Sequence, residues 1–171
     1  MSTNIELLSA NNKLIQIQND VREFFNWDVK LDEDSAIELL STVENSSIDV
    51  WTRSQRLVTL ANLRRRLVLR KTKIAVLGAA VDKSEVISTL ESSSLFVAAD
   101  GAVGVFSSLP ETISERAWSR LACIVSDADG GDGTIVAVKK SIPVILHAHG
   151  DNFDSWKNLV KVASQVPHPP R

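Results

Sequence analysis

Three short clusters of acidic, histidine and glycine residues could carry chemistry in this chain. They are Asp100-Gly101, Asp127-Ala-Asp129-Gly-Gly131 and His147-Ala-His-Gly-Asp-Asn152. Two carboxylates at alternate positions, as in the second cluster, can approach one hard cation, and Mg²⁺ commonly takes one or two carboxylates together with substrate phosphates. Asp and Gly are also frequent in plain polar turns. An Asp-x-Asp alone is more often a turn, but with Asp100 at a neighbouring strand end the clusters predict a metal and phosphate site and solvated turns in equal measure.

The third cluster permits a second interpretation. His147, His149 and Asp151 alternate along the chain, so in an extended segment they would share one face. This spacing resembles the His-x-His-x-Asp of zinc metallohydrolases. Those enzymes need further histidine ligands, whereas the only other histidine is His168, and Asn152 stands where a second motif histidine would be. A zinc hydrolase is thus disfavoured, and a structural role for the two histidines is preferred to it.

A fourth loop, Gly78 to Ser84, could bind an anion, although its sequence matches no known phosphate-binding loop. Neither Gly-x-x-x-x-Gly-Lys-Ser nor Gly-x-Gly-x-x-Gly occurs there. Ser84 is predicted to cap a helix at Glu85, whose free amides could donate to an anion. An ordinary helix cap is the competing interpretation. Eight Lys or Arg and no acid lie between residues 50 and 81, and a solvated helix face explains them better than an acidic partner.

An alternation of strands and helices must position these clusters. Apolar runs at residues 73–78, 95–101, 121–127 and 142–147 indicate strands covered on both faces. Helical segments at 84–90, 113–117 and 134–140 separate them, which predicts a parallel α/β sheet with right-handed crossovers. Ligands bind beyond the carboxyl ends of the strands in such sheets. The clusters should therefore converge at one edge.

The first 70 residues have a different pattern of apolar residues from the rest of the chain. Apolar residues recur at helical spacing over residues 5–25, 36–43 and 51–67, and acids at 32–34 suit the positive end of the second helix. We predict a helical region (1–70), a three-layer Rossmann-like α/β domain of the kind seen in nucleotide-binding proteins (71–166) and a loose tail (167–171).

Composition narrows the class of protein. The 171 residues are 44% hydrophobic and 23% charged, with a net charge of −2 and one cysteine. This balance argues against a nucleic-acid binder, and a single cysteine supports neither an internal disulfide nor a cysteine-based zinc site. No apolar run approaches the roughly 20 residues of a membrane span, and the first residues do not resemble a signal peptide. We therefore expect a cytoplasmic protein without membrane or nucleic-acid partners.

Taken in order, the three clusters resemble motifs of the archaeal 6-hydroxymethyl-7,8-dihydropterin pyrophosphokinases. That family carries an Ala-Asp-Gly-Ala, a Thr-Asp-Leu-Asp-Gly and a His-Ala-His-Gly-Asp-Asn. This chain has Ala99-Asp-Gly-Ala102, Ser126-Asp-Ala-Asp-Gly130 and His147-Ala-His-Gly-Asp-Asn152. Trp27 and residues 32–40 resemble the family's helical lead-in, so the resemblance covers roughly residues 27–152. The six-residue third motif is the specific one. Thiamin pyrophosphokinases, with an Ala-Asp-Gly-Gly and an Asp-x-Asp-Ser, are similar in turn.

The resemblance implies a reaction in folate or methanopterin synthesis. ATP as co-substrate and a hydroxymethyl pterin would give the pterin diphosphate and AMP with the help of Mg²⁺. By carry-over, Asp127 and Asp129 hold Mg²⁺ on the ATP phosphates, and Asp100, the third predicted catalytic residue, acts at the same centre or contacts a substrate. By the same carry-over, His149, Asp151 and Asn152 line the nucleotide or pterin pocket, and Gly78, Ser84 and Gly101 are the other predicted binding residues.

Two departures from the family keep alternatives open. The family's Gly-x-Gly-Pro-Ser loop is here Gly78-Ala-Ala-Val-Asp-Lys-Ser84, with Ala80 in place of a glycine and Asp82 where it would repel a phosphate. Family members also continue well beyond the third motif, whereas this chain stops about 19 residues after Asn152. A non-catalytic nucleotide-binding or interaction module and a thiamin-type pyrophosphokinase are the alternatives. We also predict a homodimer, because the shorter chain should expose a sheet edge.

Overall fold

The computed structural model describes residues 2–68, 73–92 and 94–171, with side chains from Asn12 onward. Three helices come first, and strands alternate with helices after them. The elements are α1 (Ser2–Phe25), α2 (Val29–Glu44), a 3₁₀ turn (Asp49–Trp51), α3 (Arg53–Val68), β1 (Ile74–Leu77), α4 (Lys83–Glu91), β2 (Leu95–Ala99), a 3₁₀ segment (Asp100–Ser108), α5 (Glu111–Arg120), β3 (Leu121–Ser126), α6 (Asp132–Lys139), β4 (Val144–Leu146) and α7 (Phe153–Gln165).

The four strands form one parallel sheet in the order β1-β2-β3-β4. This confirms the predicted parallel α/β fold. One face carries the main core, where Phe96 and Ile124 of the sheet pack with Val86 of α4, Phe106 of the 3₁₀ segment and Trp118 of α5. All five side chains are less than a tenth exposed, so this face is closed by the crossover segments.

The other face of the sheet is only partly covered. Leu63 of α3 packs on Ala122 and Cys123 of β3. Val76 of β1 remains 75% exposed and Ile145 of β4 is 40% exposed. The prediction that the strands are covered on both faces is therefore wrong for the outer strands, because α3 packs across the middle of the sheet.

A second core joins the N-terminal helices to the carboxyl-terminal half. Trp156 of α7 and Ser35 of α2 are both fully buried, and the indole Nε1 donates to the Ser35 hydroxyl at 3.0 Å. Trp51 packs with Leu159 and Ala163 of α7. Sequence analysis assigned no helix after residue 152, although the apolar residues of α7 recur at helical spacing.

The last five residues, predicted to be a loose tail, are held against the body of the protein. Trp51 Nε1 donates to the Pro170 carbonyl at 2.8 Å, and the Val144 amide donates to the Arg171 carbonyl at 2.9 Å. Ser141 Oγ also donates to the His168 carbonyl. All three contacts are made to backbone carbonyls of this segment, which proline keeps although it lacks a backbone N–H. No helix among the described residues combines the length and apolar character that crossing a membrane requires.

Candidate functional site

The three polar clusters lie on neighbouring strands. Asp100 directly follows β2, Asp127 directly follows β3 and His147 directly follows β4. Because these strands are adjacent and parallel, the three loops leave the sheet at the same edge. The loop after β3 lies between the other two, which places the Asp-Ala-Asp cluster at the centre of the candidate site.

The two predicted metal ligands, Asp127 and Asp129, come together with Asp100, the third predicted catalytic carboxylate. One carboxylate oxygen from each of Asp100, Asp127 and Asp129 lies within 4.8 Å of the other two. Asp100 and Asp127 are half-buried, and Asp129 is exposed. Among the described residues this is the one cluster of three or more such groups. A set of three carboxylate oxygens fits a hard divalent cation such as Mg²⁺. Three negative charges at these distances repel one another, and a bound cation would offset that repulsion.

Backbone hydrogen bonds orient two of these carboxylates. Asp100 Oδ1 accepts from the Asp127 amide at 3.1 Å, and Asp127 Oδ1 accepts from the Asp129 amide at 3.2 Å. Asp100 and Ala128 have φ angles of 47° and 77°, in the left-handed region that non-glycine residues rarely adopt. Backbone strain of this kind concentrates at functional sites, and both residues belong to the loops that carry the three carboxylates.

Close backbone contacts between glycines hold Asp100 against the central loop. A Cβ on Gly101 would lie 1.8 Å from the Gly130 carbonyl oxygen, and a Cβ on Gly130 would lie 2.2 Å from the Gly101 amide nitrogen. A Cβ on Gly133 would lie 2.5 Å from the Gly101 carbonyl oxygen. Gly101, a predicted binding residue, therefore serves the packing of the loops directly, since no other residue type fits there.

Asn152 ties the third loop to the second. It is 6% exposed. Its Nδ2 donates to the Asp127 carbonyl, and its Oδ1 accepts from the His149 amide at 2.8 Å. Both ends of the side-chain amide are thus engaged with backbone, so Asn152 acts as a bridge that fixes the loop carrying His149 and Asp151.

Asp32 also holds the third loop, a role that sequence analysis missed. It was identified only as an acid in a helical first turn, whereas its Oδ1 accepts from the Gly150 amide at 2.9 Å and its Oδ2 pairs with Arg22 at 2.8 Å. Its Oδ1 also lies 3.8 Å from His149 Nδ1. A Cβ on Gly150 would lie 2.5 Å from Leu31 Cβ, so α2 contacts this loop closely. The signal was the position of Asp32 inside the segment that resembles the family's lead-in.

The histidines do not assemble a zinc site in the part of the chain that the structure describes. The His147 and His149 rings lie 5.3 Å apart between centroids, but neither belongs to a cluster of three candidate ligands there. His168 lies in the terminal segment, where its carbonyl accepts from Ser141. The arrangement does not add support to the hydrolase interpretation.

The loop after β1 differs from the prediction in its helix cap. Asp82, and not Ser84, is the N-cap of α4, and it forms a capping box with Glu85. Asp82 Oδ1 accepts from the Glu85 amide at 2.9 Å and from Ser84 Oγ at 2.7 Å, and these bonds lower the pKa of the Asp82 carboxyl. Gly78 lines a separate hollow of about 340 Å³ with Glu85 and Thr89. The amides that an anion would use are therefore occupied by a carboxylate of the chain itself.

The basic run is mostly solvated. Arg53, Arg64 and Arg65 are exposed, and Arg56 pairs with Glu44 at 2.6 Å. Arg70 and Lys71 lie outside the described residues.

A groove of about 590 Å³ lies between α2, α3, β4 and α7. It is lined largely by aliphatic side chains, and its lining also includes His147 and Ala148.

Comparison of the chain with family models, with curated proteins and with solved structures finds no match. The fold and the carboxylate site define an α/β protein with a candidate cation centre at the carboxyl edge of its sheet.

Proposed function

We propose that this protein is a Mg²⁺-assisted, ATP-dependent diphosphotransferase that acts on 6-hydroxymethyl-7,8-dihydropterin and has a Rossmann-like nucleotide-binding fold. The convergence of Asp100, Asp127 and Asp129 from two loops at the sheet edge carries this proposal. The order of the three motifs, and above all His147-Ala-His-Gly-Asp-Asn152, supplies the choice of a pterin as acceptor.

In this proposal, the carboxylates act by positioning and by charge. Asp127 and Asp129 would hold the cation, and Asp100, whose Oδ1 accepts from the Asp127 amide, adds a third carboxylate beside them. A bound Mg²⁺ would neutralise charge on the phosphates and orient them. The pterin hydroxyl oxygen bonds to the β-phosphorus of ATP and its proton passes to water. The bond from that phosphorus to the α,β-bridging oxygen breaks, and AMP leaves with that oxygen. Such transfers need little covalent participation from the protein.

Titration calorimetry with a non-hydrolysable ATP analogue, with and without Mg²⁺, tests the site. Asp129→Asn is the informative variant, because its exposed carboxylate would be lost without disturbing the core. Asp154→Asn, an exposed acid in the first turn of α7, is the matched control. We expect Mg²⁺-dependent binding that weakens at least about tenfold, or about 1.4 kcal/mol, in Asp129→Asn only, since this variant removes one of the three clustered carboxylates. Absence of Mg²⁺-dependent binding at millimolar ligand would refute the proposed site.

Release of AMP from ATP in the presence of the pterin tests turnover. A protein that binds the analogue but releases no AMP supports the second candidate, a non-catalytic module of the same fold. Two observations favour that candidate: Asp82 occupies the amides at the start of α4, and the groove of about 590 Å³ is lined mainly by aliphatic groups. Turnover with thiamin in preference to the pterin would support the thiamin-type alternative.

A further inference from the structure

The first helix presents an apolar stripe to solvent. Every side chain from Asn12 to Phe25 is exposed except Arg22, which is half-buried by its pairing with Asp32. The stripe consists of five residues, Leu14, Ile17, Val21, Phe24 and Phe25, which are 39% to 83% exposed. At 100° per residue they span an arc about 100° wide, and in the described part of the chain no other element covers them.

The spacing of the stripe is that of a coiled coil. Leu14, Ile17, Val21 and Phe24 follow one another at intervals of three, four and three, the a and d positions of a heptad. Together the five stripe residues expose on the order of 600 Å² per chain, and two copies burying this surface reach the roughly 1,200 Å² at which specific interfaces begin. A second helix of the same kind is therefore sufficient to cover it.

The charges beside the stripe determine the direction of pairing. Lys13 and Asp20 lie on the same edge of the stripe, seven residues apart, whereas Gln18 lies on the opposite edge. In an antiparallel pair, each edge faces the same edge of the partner helix. A crossing that packs Leu14 against the partner's Ile17 sets Val21 and Phe24 opposite positions 10 and 7 of the partner helix, and it places Lys13 opposite the partner's Asp20, twice by symmetry. A parallel pair would form neither contact.

We propose that α1 mediates a homodimer, pairing antiparallel with α1 of a second copy through the apolar stripe. A membrane surface fits less well, because interfacial helices carry Lys and Arg on their polar face. From residue 12 to residue 25 the polar positions of α1 hold two bases and two acids, Lys13, Arg22, Asp20 and Glu23. This inference does not depend on the diphosphotransferase activity.

Analytical ultracentrifugation of the full chain tests the interface. We expect a dimer in the wild type and a monomer in Ile17→Glu/Val21→Glu, since two buried carboxylates should weaken association at least about a hundredfold. Leu57→Glu, at a similarly exposed apolar position on α3, is the control and should stay dimeric. Circular dichroism checks that α1 stays helical. A wild type that is monomeric at roughly 100 μM, or a dimer that survives the double substitution, overturns the proposal.

Charge exchange tests the antiparallel arrangement. Lys13→Asp and Asp20→Lys should each weaken the dimer about tenfold, because each turns both cross-chain pairs into like charges. An equimolar mixture of the two variants should form a heterodimer as tight as the wild type, since every cross-chain pair is then of opposite sign. A mixture no tighter than either variant alone overturns the antiparallel pairing, and vesicle binding by a monomeric chain overturns the dimer.

Discussion

Replacing Gly101 with alanine should damage both the stability of the protein and its cation site. The added Cβ would lie 1.8 Å from the Gly130 carbonyl oxygen, so the two backbones must separate by about 1.6 Å to reach the 3.4 Å of ordinary contact. A backbone carbonyl cannot rotate out of the way as a side chain can. We therefore expect a loss of about 3 kcal/mol, at the upper end of the usual cost of overpacking. Against a typical stability of roughly 5–15 kcal/mol, the variant should still fold.

The same separation should abolish cation binding. Gly101 follows Asp100, and Gly130 follows Asp129, so a shift of this size moves one ligand away from the other two. It would also break the bond from the Asp127 amide to Asp100 Oδ1. Binding of Mn²⁺, a paramagnetic substitute for Mg²⁺, can be followed by the loss of the free-ion signal in electron paramagnetic resonance.

Gly104→Ala provides a matched control within the same 3₁₀ segment. Its Cβ would lie 3.8 Å from the nearest atom, an ordinary contact, so stability should stay within about 1 kcal/mol of the wild type or rise slightly. Urea unfolding followed by the fluorescence of the buried Trp51, Trp118 and Trp156 measures both variants. If the two variants unfold within about 0.5 kcal/mol of each other, or Gly101→Ala still binds Mn²⁺ like the wild type, the reasoning is refuted.

Three further predictions concern single side chains. Asn152→Ala should lower the free energy of unfolding in urea by about 2 kcal/mol, because it leaves backbone groups of two loops without partners. It should also weaken Mn²⁺ binding. Unchanged stability would contradict the bridging role. Asp82→Ala should lower the thermal midpoint at pH 7, because the hydrogen bond from the Glu85 amide stabilises the ionised Asp82 carboxylate and lowers its pKa in the folded protein. As the pH falls below 3.8 the carboxylate is protonated, so the difference between variant and wild type should shrink. A difference that does not depend on pH would contradict this cause. Burial raises the pKa of the Cys123 thiol, so a disulfide reagent should react slowly with the folded protein and quickly after unfolding in urea. Equal reaction rates in the two states would be inconsistent with the burial of this thiol.

Much of the architecture follows from local sequence patterns. The apolar runs at β1 to β4 and the helical spacing between them were sufficient to predict a parallel sheet, because strand and helix periodicities are properties of neighbouring residues. The carboxyl ends of parallel strands must share an edge, so the meeting of Asp100 with Asp127 also followed from the order of elements. Boundaries were less accurate, and α2 begins at Val29 with Asp28 as its cap, ahead of the predicted acids.

Competing local signals explain one prediction that was wrong. Ser84 and Asp82 are both good capping residues, and both precede Glu85. The capping box is formed by Asp82, which lies three residues before Glu85, the spacing that a reciprocal pair of bonds requires. Residue types alone indicated a helix start near this point, and only the backbone geometry decided which side chain accepted the amide.

Contacts between distant parts of the chain were decided by tertiary structure alone. Asp32 binds the Gly150 amide across 118 positions, and Trp156 reaches Ser35 across 121. No local period connects such residues, because their meeting depends on how α2 and α7 pack beside the sheet. The sequence by itself determined the strands, the helices between them and the edge at which the acidic loops lie, but not α7. Packing determined which side chains hold those loops in place, since a hydrogen bond or a glycine contact exists only when two backbones have already been brought together.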